Sequence, residues 1–294
     1  MKTKKMVTPY LFVFPCVLML AVFVYMPLIQ NFFYSFQNVS LLSGKSSFAG
    51  LDNYKSLFSD PIVSQGLINN IKYAVISLIC QVGFGLVLAA ILEQEFLRKI
   101  AAVFRTIFFI PVIISITVIC LLFSFIYNPT DGLLNMFLQG VGLEEWAKPW
   151  LGSGTTAIYA VIAVSQWQSI GYCMMLFIVA IQKIPRDLYE AAKIDGAGSL
   201  KTFFSVTLPQ VKEMIFVNSL LTVTGAFMVF NEPFILTRGG GPGTSSITIA
   251  VLMYQSGFVK DSMGYAATIS LLIFVITAVL ALIQTFTFRT GKGD

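Results

Sequence analysis

The sequence predicts an all-α integral membrane protein with six transmembrane helices and a cytoplasmic helix-turn-helix between spans four and five. Three observations carry that expectation. The chain is 56% apolar and only 11% charged, against about 25% charged in soluble domains. Several apolar runs exceed the roughly 20 residues that cross a ~30 Å hydrocarbon core. One compact polar insert, YEAAKIDGAGSLKTFFSVTLP from Tyr189 to Pro209, interrupts them.

The elements follow in order. MKTKK precedes an apolar run, 9–33, too long for a signal h-region and without a small-x-small cleavage site, so it is read as a retained first helix. Further spans fall at about 69–92, 103–127, 156–182, 212–236 and 264–288, dividing the chain into an N-terminal helix with its external loop (1–68) and a five-helix core (69–290). Ile247 to Phe258 is too short to cross and reads as a re-entrant or interfacial piece. With both termini inside, 13 of the 19 Lys and Arg lie on the inner side, from Lys2, Lys4 and Lys5 through Arg98, Lys99, Arg105, Lys193 and Lys201 to Arg289 and Lys292. That bias follows the positive-inside rule, and a seventh span would reverse its last two members.

In the polar insert, Pro185 suits a helix's first turn, with Asp187 and Glu190 near the positive end of the dipole. Asp195-Gly196 offers a stop, Ser199 a cap for a second short helix, and Pro209 its end. Leu188, Ala191, Ala192, Ile194, Leu200, Phe203 and Phe204 exceed what a solvated loop should expose, which points to a docking site.

Absences narrow the function classes. There is no His, which removes the commonest general base and metal ligand. Cys16, Cys80, Cys120 and Cys173 each sit within apolar runs and read as packing residues, with neither disulfide nor metal expected. No GxxxxGK[ST] loop occurs, so an energy source based on nucleotide must sit on another chain. A membrane enzyme lacks a nucleophile motif. A secondary transporter predicts inverted repeats and interrupted helices, neither of which is apparent.

Polar groups inside spans mark pathways or helix contacts. Span four holds Ser165, Gln166, Trp167, Gln168, Ser169, Gly171 and Tyr172. Span five holds Asn218, Thr222, Thr224, Phe227, Phe230, Asn231 and Glu232. Amides and hydroxyls with aromatic faces suit a sugar. Glu93, Glu95, Arg98 and Lys99 read as a solvated helix end.

Glu190-Ala191-Ala192, Asp195-Gly196-Ala197, Val206 and Leu208-Pro209 together resemble the signature loop of permease subunits in binding-protein-dependent ABC importers. FAGLDNYKSLFSDP, NPTDGLLN, GGGPGTSS and MGYAAT are similar to the carbohydrate-uptake branch, of which the maltose and glycerol-phosphate permeases are members and whose shorter members this chain resembles better. Val206 stands where the family often has Ile. The resemblance implies a non-enzymatic transport subunit in a bacterial inner membrane, working with a second homologous permease, two ATPase subunits and an external solute-binding protein, and not with nucleic acid. No cofactor is implied on this chain, with ATP and Mg on the ATPases. The loop residues Glu190, Ala191, Ala192, Asp195, Gly196, Ala197, Leu208 and Pro209 would couple ATPase closure to the membrane. Ser165, Gln166, Trp167, Ser169, Tyr172, Phe227, Phe230 and Asn231 would line a sugar pathway, and Gly240, Gly241 and Pro242 would meet the binding protein. A polyol or glycerol phosphate is the alternative cargo, although the spans lack a central Lys or Arg.

Overall fold

The computed structural model describes residues 2–97 and 99–289; Arg98 and Lys292 lie outside the described residues, as do the side chains of Lys2, Lys4, Lys5 and Arg289. In chain order the elements are helix α1 (2–34), strands β1 (Gln37–Val39) and β2 (Ser46–Phe48), and helices α2 (Asp52–Ser59), α3 (Pro61–Leu92), α4 (Ala101–Ile113), α5 (Ile116–Ile126) and α6 (Leu133–Gly140). They continue with α7 (Ala157–Ile181), α8 (Arg186–Ile194), α9 (199–210), α10 (Lys212–Met228), α11 (Asn231–Leu236), α12 (Ile249–Val259) and α13 (Met263–Arg289). Among the described residues five helices are long and apolar enough to cross a membrane, and the bent pair α4–α5 makes up to six.

The chain forms two compact units. One runs to Asp60 and takes in Leu252–Phe274; the other holds Pro61–Val251 and the chain from Val275 onward. In the first, β1 and β2 pair antiparallel with Gln37 opposite Phe48. The buried Ser35 carbonyl accepts from Asn53 Nδ2 at 3.0 Å and from Thr268 Oγ1 at 3.3 Å. Gly264 lies so close beneath the Gln37 carbonyl that any Cβ there would overlap it. The apolar part of α1, Pro9–Tyr34, buries none of its residues within the chain. Cys16 accordingly is exposed, a correction to its expected burial, whereas Cys120 and Cys173 are buried and all four cysteines are free.

The second unit holds two apolar clusters. Tyr73, Ile119, Val161, Ile162 and Phe227 belong to one; Leu86, Ala89, Met174, Phe177 and Ile178 belong to the other. Span two begins at Pro61, eight residues before the expected 69, because Pro fits a helix's first turn. Span three is not the continuous 103–127 segment expected: α4 and α5 meet at 99°, with Ile114 extended. Span five also breaks, at Val229, before α11. Interrupted helices are therefore present, contrary to the sequence expectation.

Backbone freed by such breaks must find partners at membrane depth. Gln168 Nε2 donates to the Ile114 carbonyl at 3.2 Å. Asn70 Nδ2 donates to Ala226 at 2.6 Å while its Oδ1 accepts from the Ile249 amide at 3.0 Å. Asn69 holds the Ser245 and Ile247 carbonyls, each at 2.9 Å, and Thr248 holds that of Val229 at 2.8 Å. These amide and hydroxyl side chains take up backbone groups that no helix ladder satisfies.

Candidate functional site

The polar insert folds as a knuckle of two helices. Pro185 is extended and precedes α8, whose first turn carries Asp187 and whose last carries Lys193. Gly196, at φ +73°, ends α8 with a double closure: its N–H bonds Lys193 at 3.0 Å, and that of Ala197 bonds Ala192 at 2.9 Å. A left-handed residue is needed there, and Gly supplies it without a Cβ penalty. The second helix differs from expectation at both ends. Its N-cap is Gly198 rather than Ser199, and no side chain caps it. Pro209 does not end it: a π turn, Phe203–Thr207, carries the chain through Leu208–Gln210, and the break falls at Val211. Proline is tolerated because it occupies the first turn of that last segment.

The knuckle's inner row is anchored and its outer row is bare. Tyr189 and Thr207 join hydroxyls at 3.1 Å, and Phe203, Val206 and Leu208 are half-buried against the second apolar cluster. Glu190, Ala191, Asp195, Gly196 and Pro209 are exposed, with Ala192 and Ala197 half-buried. Ile194 (86% exposed), Leu200 and Phe204 also face outward. Behind them Glu93 pairs with Arg105 and accepts from Gln182 at 3.2 Å, while Lys193 approaches Glu95 at 3.4 Å. Arg105 is thus the partner that sequence reasoning missed, being twelve residues away from Glu93 and on another helix.

Along α7, positions four and seven residues apart share a face. Ser165, Ser169 and Tyr172 form such a face, passing from buried through half-buried to exposed. Trp167 does not join them. It projects from the opposite side and sits against the Phe123 ring at 5.4 Å. Gln166 donates to Ser77 at 3.0 Å, with its carbonyl oxygen unpartnered. Phe227 is buried in the first cluster, Phe230 stacks on Phe234 at 4.8 Å, and Asn231 is exposed at the start of α11. Asn218 is buried with both amide atoms unpartnered.

Tyr73 is the site's unforeseen member, and it meets Glu232, one of the polar residues read in span five. Tyr73 donates to Glu232 Oε1 at 3.1 Å, and the Ser165 hydroxyl interacts with both. The two residues are 159 positions apart, so only folding brings them together.

The glycine loop is built rather than slack. Gly239, Gly240, Gly241 and Gly243 all have positive φ. Gly240 is buried against Ile247, Ser246 N–H closes onto the Gly240 carbonyl at 2.7 Å, and Pro242 is exposed. Among the described residues no group of metal-ligating side chains occurs.

A family model described as the binding-protein-dependent transport system inner membrane component matches residues 81–290. The chain belongs to that family. The permease is similar to the probable ABC transporter permease protein YurN of Bacillus subtilis, 53% identical across all of both chains. It is also similar to the arabinooligosaccharides transport system permease protein AraP of the same organism, 32% identical over 99% of this chain and 91% of that one. In fold, the permease matches a chain of a bacterial alginate ABC transporter solved with an alginate pentasaccharide-bound periplasmic protein. The TM-score is 0.85 at 20% identity, covering 100% of this chain and 98% of the other. It is therefore a multi-pass inner-membrane transport subunit.

Proposed function

We propose that this permease subunit carries a sugar or oligosaccharide across the inner membrane, both termini cytoplasmic, after delivery by an external binding protein. The observation that carries the reading is the knuckle: exposed Glu190 and Ala191 beside half-buried Ala192, with bare Ile194, Leu200 and Phe204 and a closure at Gly196. An apolar surface of that kind on a polar projection fits a protein cleft. Its occupant would be one of two ATPase subunits, which would hold ATP and Mg; a second permease and the binding protein would complete the machine. The saccharide cargo is supported by relatives such as the arabinooligosaccharide permease.

In this reading ATP-driven closure of the ATPases displaces α8 and α9. The anchored inner row passes that movement to α7 and α10, because Tyr189–Thr207 and the half-buried Phe203 and Leu208 leave no slack. The face from Ser165 through Ser169 to Tyr172 would carry the solute, with Gln166, Phe227, Phe230 and Asn231 beside it. Trp167 would support the face from behind. On the outside, exposed Pro242 at the tip of the Gly240–Gly241 turn would meet the binding protein.

The test is purification of the tagged permease from its native membrane, followed by identification of its companions. Recovery of an ATPase and a second permease, with the ATPase lost in Glu190→Lys, is expected. A chain that purifies alone and moves solute without ATP would sink the proposal.

A further inference from the structure

The segment between α5 and α7 carries a helix, α6, whose polarity is reversed. It starts against the end of span three. Gly132, the residue before it, lies so close beneath the Ile126 and Asn128 carbonyls that any Cβ there would overlap both. The side of α6 that faces the protein is held by an amide. Asn135, 2% exposed, donates from Nδ2 to the Pro129 and Lys148 carbonyls at 3.2 and 3.1 Å, and its Oδ1 accepts from Trp150 Nε1 at 2.8 Å. Leu134 and Trp150 pack against the first apolar cluster. The Trp150 carbonyl accepts in turn from the hydroxyl of Thr156, the residue before α7, at 2.8 Å. The segment is therefore pinned to the ends of two membrane helices.

The opposite side of α6 is apolar and bare. Leu133, Met136, Phe137 and Val141 follow the i, i+3, i+4, i+8 spacing of one helix face. All four are exposed, Leu133 and Phe137 at 65% each, and exposed Trp146 follows them. Such a stripe ordinarily packs on a core. Here it points away from one, and contiguous apolar surface of that kind marks an interaction site.

Its neighbour indicates what covers it. Leu121, Leu122 and Phe125 on α5 are also exposed, and they belong to a helix pair apolar enough to cross a membrane. Hydrocarbon is the natural surrounding of that surface. Because α6 starts against the end of α5, its stripe continues the same surface at the level where hydrocarbon gives way to headgroups. Trp is enriched at that level. A helix lying there sinks its apolar face to the acyl boundary and keeps polar groups above it. Asp131, Glu144 and Glu145 outnumber Lys148 on this segment, and all four are exposed, which disfavours anionic headgroups and suits zwitterionic ones.

We infer that α6 is an interfacial anchor, with its Leu133, Met136, Phe137 and Val141 face set into the membrane leaflet opposite the knuckle, among acyl chains beneath zwitterionic headgroups. Through Asn135 and Trp150 the anchor fixes the height of the adjoining ends of α5 and α7 against the bilayer. It does not depend on which solute the permease carries.

The test uses the assembled importer, this chain with the subunits that purify with it, in phosphatidylcholine vesicles and in a background without other reactive cysteines. A nitroxide is attached singly through Leu133→Cys, Phe137→Cys or Val141→Cys, with Phe125→Cys as the hydrocarbon reference and Glu144→Cys as the aqueous one. Power-saturation electron paramagnetic resonance then compares collision with oxygen, which partitions into hydrocarbon, and with a nickel chelate, which stays in water. At the three stripe positions the oxygen-to-nickel ratio should exceed that at Glu144→Cys at least threefold, and match that at Phe125→Cys. A ratio no higher than at Glu144→Cys would overturn the inference by showing a face open to water. Poor collision with both reagents would overturn it in favour of a protein partner on the stripe. If the label at Phe137→Cys prevents assembly, the other two positions on the same face decide the matter.

Discussion

At the residue scale, small and polar side chains decide where backbones may approach. Gly171 on α7 lies against the Phe108 carbonyl of α4, so that any Cβ would overlap it. Gly171→Ala should therefore destabilise the assembled protein by about 1–3 kcal/mol, the usual cost of overpacking. Gly225, with open space around its Cβ position, is the control: its alanine variant should be neutral or slightly stabilising. Thermal unfolding of the two purified variants separates these outcomes. Asp261 supplies a second residue-scale prediction. Its carboxylate accepts from the Ser40 hydroxyl, and from the Leu41 and Leu42 amides at 2.7 and 3.3 Å. These bonds, that from Ser40 foremost, hold its pKa below the ordinary value. A depressed folded pKa means that the stabilisation is complete above the unfolded value of about 3.9 and fades as pH falls through the folded one. The protection of the Leu41 and Leu42 amides from hydrogen exchange, taken relative to the intrinsic rate at each pH, should thus be high near neutrality and fall under acid. In Asp261→Ala it should be low throughout; equal protection profiles in the two proteins would refute the clamp.

At the element scale, the breaks are what the helices are organised around. Asn70→Leu would leave the Ala226 carbonyl and the Ile249 amide without partners, a penalty of about 1–3 kcal/mol for each buried group. We expect a large fall in melting temperature for this variant, and a smaller one for Gln168→Leu, which orphans the Ile114 carbonyl alone. Gly196→Val tests the knuckle. A β-branched residue at φ +73° costs about 1–2 kcal/mol and should tilt α9 away from α8. ATP hydrolysis by the reconstituted complex should then continue while uptake per ATP falls; undiminished uptake would show that the closure at Gly196 is dispensable. The third span was legible as a mostly apolar run, 103–127, yet its 99° bend was not. Neither Pro111, inside α4, nor Ser115, at the start of α5, distinguishes a kink from a right-angled break, because the donor that makes the break tolerable comes from Gln168, 54 positions on.

At the scale of the whole molecule, composition and periodicity already determined the membrane class, the approximate span positions and the projecting knuckle. Those depend on the local free energy of transferring side chains to hydrocarbon, which adds along the chain. The signature loop was legible for the same reason: its Glu, Ala, Gly and Pro positions act within twenty residues of one another. Only the tertiary structure decided which polar residues in the spans belong together. Ser165, Ser169 and Tyr172 share a face by helical spacing, but that Ser165 meets Tyr73 and Glu232, and that Trp167 turns away toward Phe123, follows from which helices are neighbours. Hydrogen bonds and ring contacts between residues far apart in sequence leave no period or spacing to read. They exist only once the chain has brought its helices side by side.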